Sequence, residues 1–494
     1  MVRVPGYAKL IAPKSHRGHA IFSVHGNERS HKYGLVDVVH KTFHGLRRGP
    51  LELQDALVVL ASRQYASWLQ DNEFMATLVN LFHGRPSNKK KDSHHPEFNV
   101  LAAAVDGLHP LHAMGDTPHG FSFFYGPMKR MMPNLWQDDG QPKPLRESKL
   151  QAAITFQFEH RRTLDKLDCT LPLANTIFQN GLHSTLLASR WRRPSNRAMP
   201  ELLQIKEKQS QEVAYWPPKS ALDVYVDSPI VPITVPREIV AGLGNIVSQI
   251  SVQGQTMPAS AELETAVNEL YARRTKEGHE FPPGPVGVWA IVVPDGRFQK
   301  SNLKLLREWT GDLNRIQTAY DEWIEALAFK DLVQQLLRNG SRVYRILSGG
   351  GGWGKKQGLL SLDPETTYSS SSEEKDLESF IRSFESQHDG GGQQGVVSPG
   401  SWIQYFVSPP MSARPNPPRP HGATMEIALG ASESATSEEP PSTDGPSEWK
   451  VIPEHFGAVS NHGLFLKREA SGFVNESKLD VPGSWVGCLK LENP

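Results

Sequence analysis

The run Ser348-Gly349-Gly350-Gly351-Gly352-Trp353-Gly354-Lys355-Lys356 holds the residues whose types and spacing could do chemistry. Glycines carry no side chain and adopt backbone conformations closed to other residues. Their amides can approach a ligand closely, and a succession of them forms a concavity that suits an anion. Two lysines follow at once, so an anionic small molecule is the ligand to expect. On this reading Gly350, Gly351, Gly352, Trp353, Gly354 and Lys355 bind it. Gly349, Gly351 and Gly354 also satisfy G-x-G-x-x-G after a strand-like run, but a dinucleotide site needs a helix to begin there. Residues 355–362 are few, include Gly358 and end at Asp363-Pro364, which makes a poor helix. Gly349 to Lys356 further reads G-x-x-x-x-G-K, yet Lys356 stands where Ser or Thr would hold magnesium. The main reading of the run is a structural glycine turn between two strands, and the ligand-facing loop is the alternative to it.

Other clusters carry less. His109 and His112 stand three apart with Asp106 and His119 nearby, a spacing that metal ligands use. Pro110 forbids a regular helix through the pair, and 19 histidines make chance clustering expected. No G-x-S-x-G occurs, and Ser348 has no base that can be assigned to it. Cys169 lies in an apolar run, where cysteine is a packing residue. Glu373 and Glu374 sit in a serine run and read as solvated. No catalytic residue, metal ligand or cofactor is therefore assigned, and the chain reads as non-enzymatic.

The elements that must position the glycine run follow from periodicity. Residues 51–70 read as an amphipathic helix, with a strand at 57–62 as the competing reading. Residues 72–83 place Phe74, Leu78, Val79 and Phe82 on one helical face. Apolar runs at 99–107 and 120–126 read as buried strands. Two more are expected at 153–159 and 170–178. Asn180-Gly181 predicts a hairpin between 171–178 and 184–189. Residues 192–218 read as a polar linker. A strand at 222–226 opens a second unit, followed by 239–250, a Gln253-Gly254 turn, and a helix over 261–274 with Ser260 as its N-cap. A strand at 286–293 and a helical pattern over 303–338, ended by Asn339-Gly340, lead into the glycine run. Residues 409–449 are rich in Pro, Ser and Glu and should be largely disordered. Short apolar runs at 452–466 and 485–491 return as strands.

This order implies an α/β or α+β fold with two sheet-containing subdomains, flanking helices, a disordered insert and tail segments. The expected division is a basic N-terminal arm or presequence (1–49), a first subdomain (50–195), a second with the glycine loop (220–364), a low-complexity insert (365–449) and C-terminal strands (450–494). Lysine plus arginine and aspartate plus glutamate balance at 53 each, which disfavours nucleic acid as a partner. The two cysteines fit neither a disulfide framework nor a cysteine zinc site, and suit a reducing compartment. No apolar run reaches the roughly 20 residues of a membrane helix. The first 50 residues are basic and nearly free of acid, a bias shared with mitochondrial presequences. An intracellular location, cytoplasmic or mitochondrial, is expected.

One stretch carries a resemblance. Gly242-Leu243-Gly244-Asn245-Ile246-Val247-Ser248-Gln249-Ile250, then Gln253-Gly254, then Pro258-Ala259-Ser260-Ala261-Glu262-Leu263 and a helix, is similar to part of the FIST domain (F-box and intracellular signal transduction). There a G-N-x-[IV] strand meets a small turn, and a Pro-Ala step starts a helix, as proline near the first helical position should. Residues 100–107 and 121–126 resemble the N-terminal strands of that family. The resemblance is specific over some 30 residues and loose over 50–295. It implies a sensory or binding protein that holds a small ligand, with amino acids proposed for the family, and that acts with a protein partner. It transfers no catalytic residue. Two alternatives stand beside it: an enzyme or nucleotide-binding protein using the loop from Gly349 to Lys356 for phosphate, and a mitochondrial RNA- or ribosome-associated factor.

Overall fold

The computed structural model describes residues 19–26, 30–46, 54–83, 97–110, 117–137, 151–159, 166–195, 198–216, 221–276, 287–311, 313, 316, 318–328, 330–349, 358–368, 397–410, 423–432, 449–470 and 473–491. Among these, strands and helices combine in an α+β fold built on four principal sheets.

The first sheet is seven-stranded and mixed, in the order Glu201–Glu207, Leu186–Arg192, Glu97–Val105, Ala56–Ser62, His119–Gly126, Ala20–Gly26, Lys450–Pro453. Its centre shows why the apolar runs are continuous. Along Ala56–Ser62 every residue is buried. Leu57, Val59 and Ala61 join one core with helices Lys32–Leu46 and Asn72–Phe82. Ala56, Val58 and Leu60 join another core on the opposite side. A strand covered on both faces cannot alternate polar with apolar. Asp71 caps Asn72–Phe82, its carboxylate accepting from the amides of Glu73 and Phe74.

The second core is shared with a five-stranded sheet (Ser210–Tyr215, Ala153–Glu159, Lys166–Pro172, Leu464–Ala470, Phe473–Leu479) and a four-stranded one (Ala221–Asp227, Trp485–Leu491, Ala423–Ala431, Phe456–Ser460). The fourth sheet runs Val231–Pro232, Trp402–Val407, Arg237–Leu243, Ile246–Val252, Leu360–Leu362, Arg342–Gly349, Val288–Val293. Its last strand also pairs with Trp402–Val407 along six residues, closing the sheet on itself. Closure leaves six of these strands without a free edge. The long helix Ala259–Lys276 packs its buried face on this sheet, with Ala259 and Leu263 in one core with Ile239, Val292, Ile403 and Tyr405. The outer face presents Trp289, Ile291 and Phe406 to helices Gln299–Thr310 and Lys330–Arg338.

Several expectations are corrected. The expected helix over 51–70 is the strand Ala56–Ser62 followed by the 3-10 helix Arg63–Gln70. The linker over 192–218 holds two strands, Glu201–Glu207 and Ser210–Tyr215. In the latter, Gln211, Val213 and Tyr215 turn inward while Ser210 and Glu212 stay exposed, so half of it is polar for a strand's ordinary reason. The hairpin at Asn180-Gly181 is confined to Asn175–Thr176 and Leu182–Ser184 around a single helical turn. The long strands that overlap its expected legs at 171–178 and 184–189, Lys166–Pro172 and Leu186–Arg192, belong to different sheets. The stretch 409–449 contains Ala423–Ala431, an interior strand of the four-stranded sheet. The pattern over 303–338 divides into Gln299–Thr310, Ala319–Ala328 and Lys330–Arg338. Within the expected arm, Ala20–Gly26 lies between two neighbours in the first sheet. Residues 1–18 lie outside the described residues.

Candidate functional site

Gly350, Gly351, Gly352, Trp353, Gly354 and Lys355 lie outside the described residues. The chain on either side of them is described. Arg342–Gly349 and Leu360–Leu362 are antiparallel neighbours, with Gly349 opposite Leu360 and Ser348 opposite Ser361. The loop is thus carried by a hairpin. The element after it is a strand, where a dinucleotide fingerprint or a P-loop requires a helix. Register shifts between Ile346 and Ser348, and Leu347 stands 57% exposed.

The return leg of this hairpin meets the start of the long helix. Gly358 has φ +91°, and a Cβ there would lie 3.0 Å from the Pro258 Cβ. Pro258 ends the short strand Gln255–Pro258, which pairs with Ile246–Val252, and the helix begins at the next residue. Ile246–Val252 also pairs with Leu360–Leu362. One strand therefore holds the glycine hairpin and the helix start side by side. The helix starts two residues earlier than 261, so Ser260 is a buried first-turn residue instead of its N-cap. Gln253-Gly254 forms the turn into the short strand, and Gly244-Asn245 forms the turn before Ile246–Val252.

Three side chains converge at this corner. Glu262, in the first turn, accepts a hydrogen bond from Arg237 Nε through Oε1 at 2.6 Å. Its side chain is 12% exposed and that of Arg237 20%. Glu262 Oε2 is buried without a hydrogen-bond partner. Burial pushes the Glu262 carboxyl above its ordinary value, against the pull of Arg237. The third group is Tyr405, whose hydroxyl donates to the Ala259 carbonyl at 3.2 Å. Burial drives its pKa far up, the charge of Glu262 adding and Arg237 opposing, so it remains a neutral donor. The positive end of the helix dipole lies beside the Glu262 carboxylate. The result is a half-engaged ion pair in a poorly solvated corner. The free carboxylate oxygen is costly until something donates to it.

Among the described residues, nothing at this corner completes a nucleophile with its base. Cys169 is fully buried, and burial drives its thiol pKa far up. In the histidine cluster, Asp106 accepts from the Asn461 amide at 2.9 Å, and His109 is buried with Nδ1 2.8 Å from the Pro110 carbonyl. His112 lies outside the described residues, and among those described no group of three or more His, Cys, Asp or Glu is placed to hold a metal ion.

Sequence reasoning missed Arg237 and Tyr405, which the pairing of Arg237–Leu243 with Trp402–Val407 brings together beside Glu262. Another polar cluster was equally hidden. Lys478 Nζ bonds Asp363 Oδ2 at 3.2 Å and Glu365 Oε2 at 2.6 Å, fastening the chain after Leu360–Leu362 to the five-stranded sheet. Asp480 accepts from Trp289 Nε1 at 2.7 Å close by. Asp363 had read merely as part of a helix stop. No protein-family model, curated protein or solved structure matches the chain.

Proposed function

We propose that the chain is a non-catalytic, intracellular sensory or binding protein of FIST type that holds an amino acid at the start of the helix Ala259–Lys276. The observation that carries this reading is the ion pair of Arg237 and Glu262, with Oε2 buried and unpartnered. A zwitterion supplies what the corner lacks. Its ammonium donates to Glu262 Oε2, and its carboxylate takes the guanidinium N–H groups that Arg237 does not spend on Glu262. The described return leg supports a shared site, because Gly358 lies against Pro258 at the helix start. The resemblance to FIST domains points to the same ligand class.

Isothermal titration of the full chain with each proteinogenic amino acid tests the proposal. At least one binds, and Glu262→Gln, which keeps the shape but not the charge, weakens it by about tenfold or more, as expected for a charge-assisted hydrogen bond. Absence of binding by every amino acid, or equal binding by Glu262→Gln, overturns the reading. Binding of a nucleotide in place of any amino acid would favour phosphate recognition by the lysine-bearing loop.

A further inference from the structure

The strand Glu201–Glu207 ends the first sheet and pairs only with Leu186–Arg192 among the described residues. A sheet edge offers unpaired backbone donors and acceptors to another strand. This one is unlike the buried strands behind it. Leu203 is 40% and Ile205 50% exposed, and Met199 just before it is 47% exposed. We propose that this edge pairs antiparallel with the same strand of a second copy, joining two first sheets across a two-fold axis.

The register of the strand selects the occupant. Leu202 lies opposite Trp191 and Ile205 opposite Ser189, with a bulge between Leu202 and Gln204. Trp191 and Ser189 share a face, their side chains being joined by a 2.8 Å hydrogen bond. Leu202 and Ile205 therefore share that face too, although an unbulged strand would set them on opposite ones. Glu201 and Lys206, opposite Arg192 and Ala188, share the other face. A bulge ordinarily blunts an edge. Here it makes the strand self-complementary.

In a two-fold antiparallel pair centred between Leu203 and Gln204, Leu202 of each copy meets Ile205 of the other on one face. Glu201 meets Lys206 on the opposite face, and both contacts occur twice. The register that would set Glu201 against Glu207 is excluded, because the bulge places those residues on opposite faces. Lys206 Nζ also reaches the Gln137 carbonyl at 3.5 Å. An ammonium has three donors, so a carboxylate partner is compatible with that contact. A partner of unrelated sequence would have to supply this charge order, and a second copy supplies it by symmetry.

Sedimentation velocity of the full chain, over a range of micromolar concentrations, tests the proposal. The native protein shows a monomer–dimer equilibrium. Glu201→Lys weakens dimerisation by about tenfold or more, the size expected when two cross-strand ion pairs become like-charge pairs. Adding Lys206→Glu to that variant restores the dimer to within about threefold of the parent, since the pairs are re-formed in reverse. Ile205→Lys, a change at a half-exposed position that leaves the fold intact, abolishes the dimer. A Glu201→Cys, Lys206→Cys variant forms a covalent dimer on oxidation, the native cysteines being buried. A native protein that stays monomeric at about 100 µM, where a Kd of that order or tighter would show dimer, overturns the proposal. So does a dimer indifferent to both Ile205→Lys and the charge reversal.

Discussion

Glu262 shows how a residue's meaning depends on what folds against it. In the sequence it is an acid in a helix's first turn, with a favourable dipole and nothing more. In the structure Arg237, 25 positions earlier, takes one carboxylate oxygen and leaves the other buried. His25 is a second such residue. It pairs with Lys450 in the first sheet, and its pKa falls to about 4 through burial, with His455 and Lys450 lowering it further. The folded protein keeps this imidazole neutral while the unfolded chain binds a proton below its ordinary value of 6.5. The linked stability is complete above pH 6.5 and is lost as pH falls toward 4. The loss is on the order of 3 kcal/mol across that window. Urea midpoints between pH 7 and pH 4.5 measure it: His25→Gln should flatten the decline. An unchanged slope would mean that another group titrates.

At the scale of elements, the inner strands were legible because both of their faces are apolar. Residues 97–105 and 119–126 announce themselves by composition alone, and 153–159 by its alternation of apolar and polar residues. The outer ones were not, because an edge strand such as Glu201–Glu207 has the composition of a loop. Ala423–Ala431 is interior yet was hidden for another reason, its short apolar run lying among Pro-, Ser- and Glu-rich flanks. The Pro-Ala helix start was legible through the fixed φ of proline, which suits a helix entry. The closed sheet around it was not, since pairings such as Ile246–Val252 with Leu360–Leu362 and Val288–Val293 with Trp402–Val407 join distant segments. Gly487 shows how tightly such elements approach. It faces Ala428 within the four-stranded sheet, and a Cβ there would lie 1.9 Å from the Ile427 carbonyl oxygen. Gly487→Ala forces these strands apart and should cost about 2–4 kcal/mol, the range of overpacking with broken ladder bonds. Chemical denaturation reads that loss. A variant within about 0.5 kcal/mol of the parent, the range of surface changes, would place the strands differently.

For the whole molecule, the ends of the chain close its sheets. Ala20–Gly26 pairs with Lys450–Pro453, Lys166–Pro172 with Leu464–Ala470, and Ala221–Asp227 with Trp485–Leu491. The last 45 residues therefore belong to the core that the first half builds, although in the sequence they are separated from it by Pro- and Ser-rich segments. Removing residues 450–494 should leave a chain without a cooperative thermal transition, as Phe456, Leu464, Leu466 and Val486 would leave the shared core. A truncated chain melting near the parent's midpoint would contradict this. Such long-range pairing also implies slow folding. No helix among the described residues is long and apolar enough to cross a membrane.

A thermal-shift comparison of the twenty amino acids with their N-acetyl derivatives tests the proposed ligand corner most directly. Acetylation removes the ammonium that Glu262 Oε2 would accept from and leaves the carboxylate in place. The account predicts that at least one free amino acid raises the melting temperature, by about 2.7 kcal/mol of added stability at one hundred times its Kd. Its acetylated form should have no effect. Equal stabilisation by both forms, or by neither across the whole set, would contradict the account.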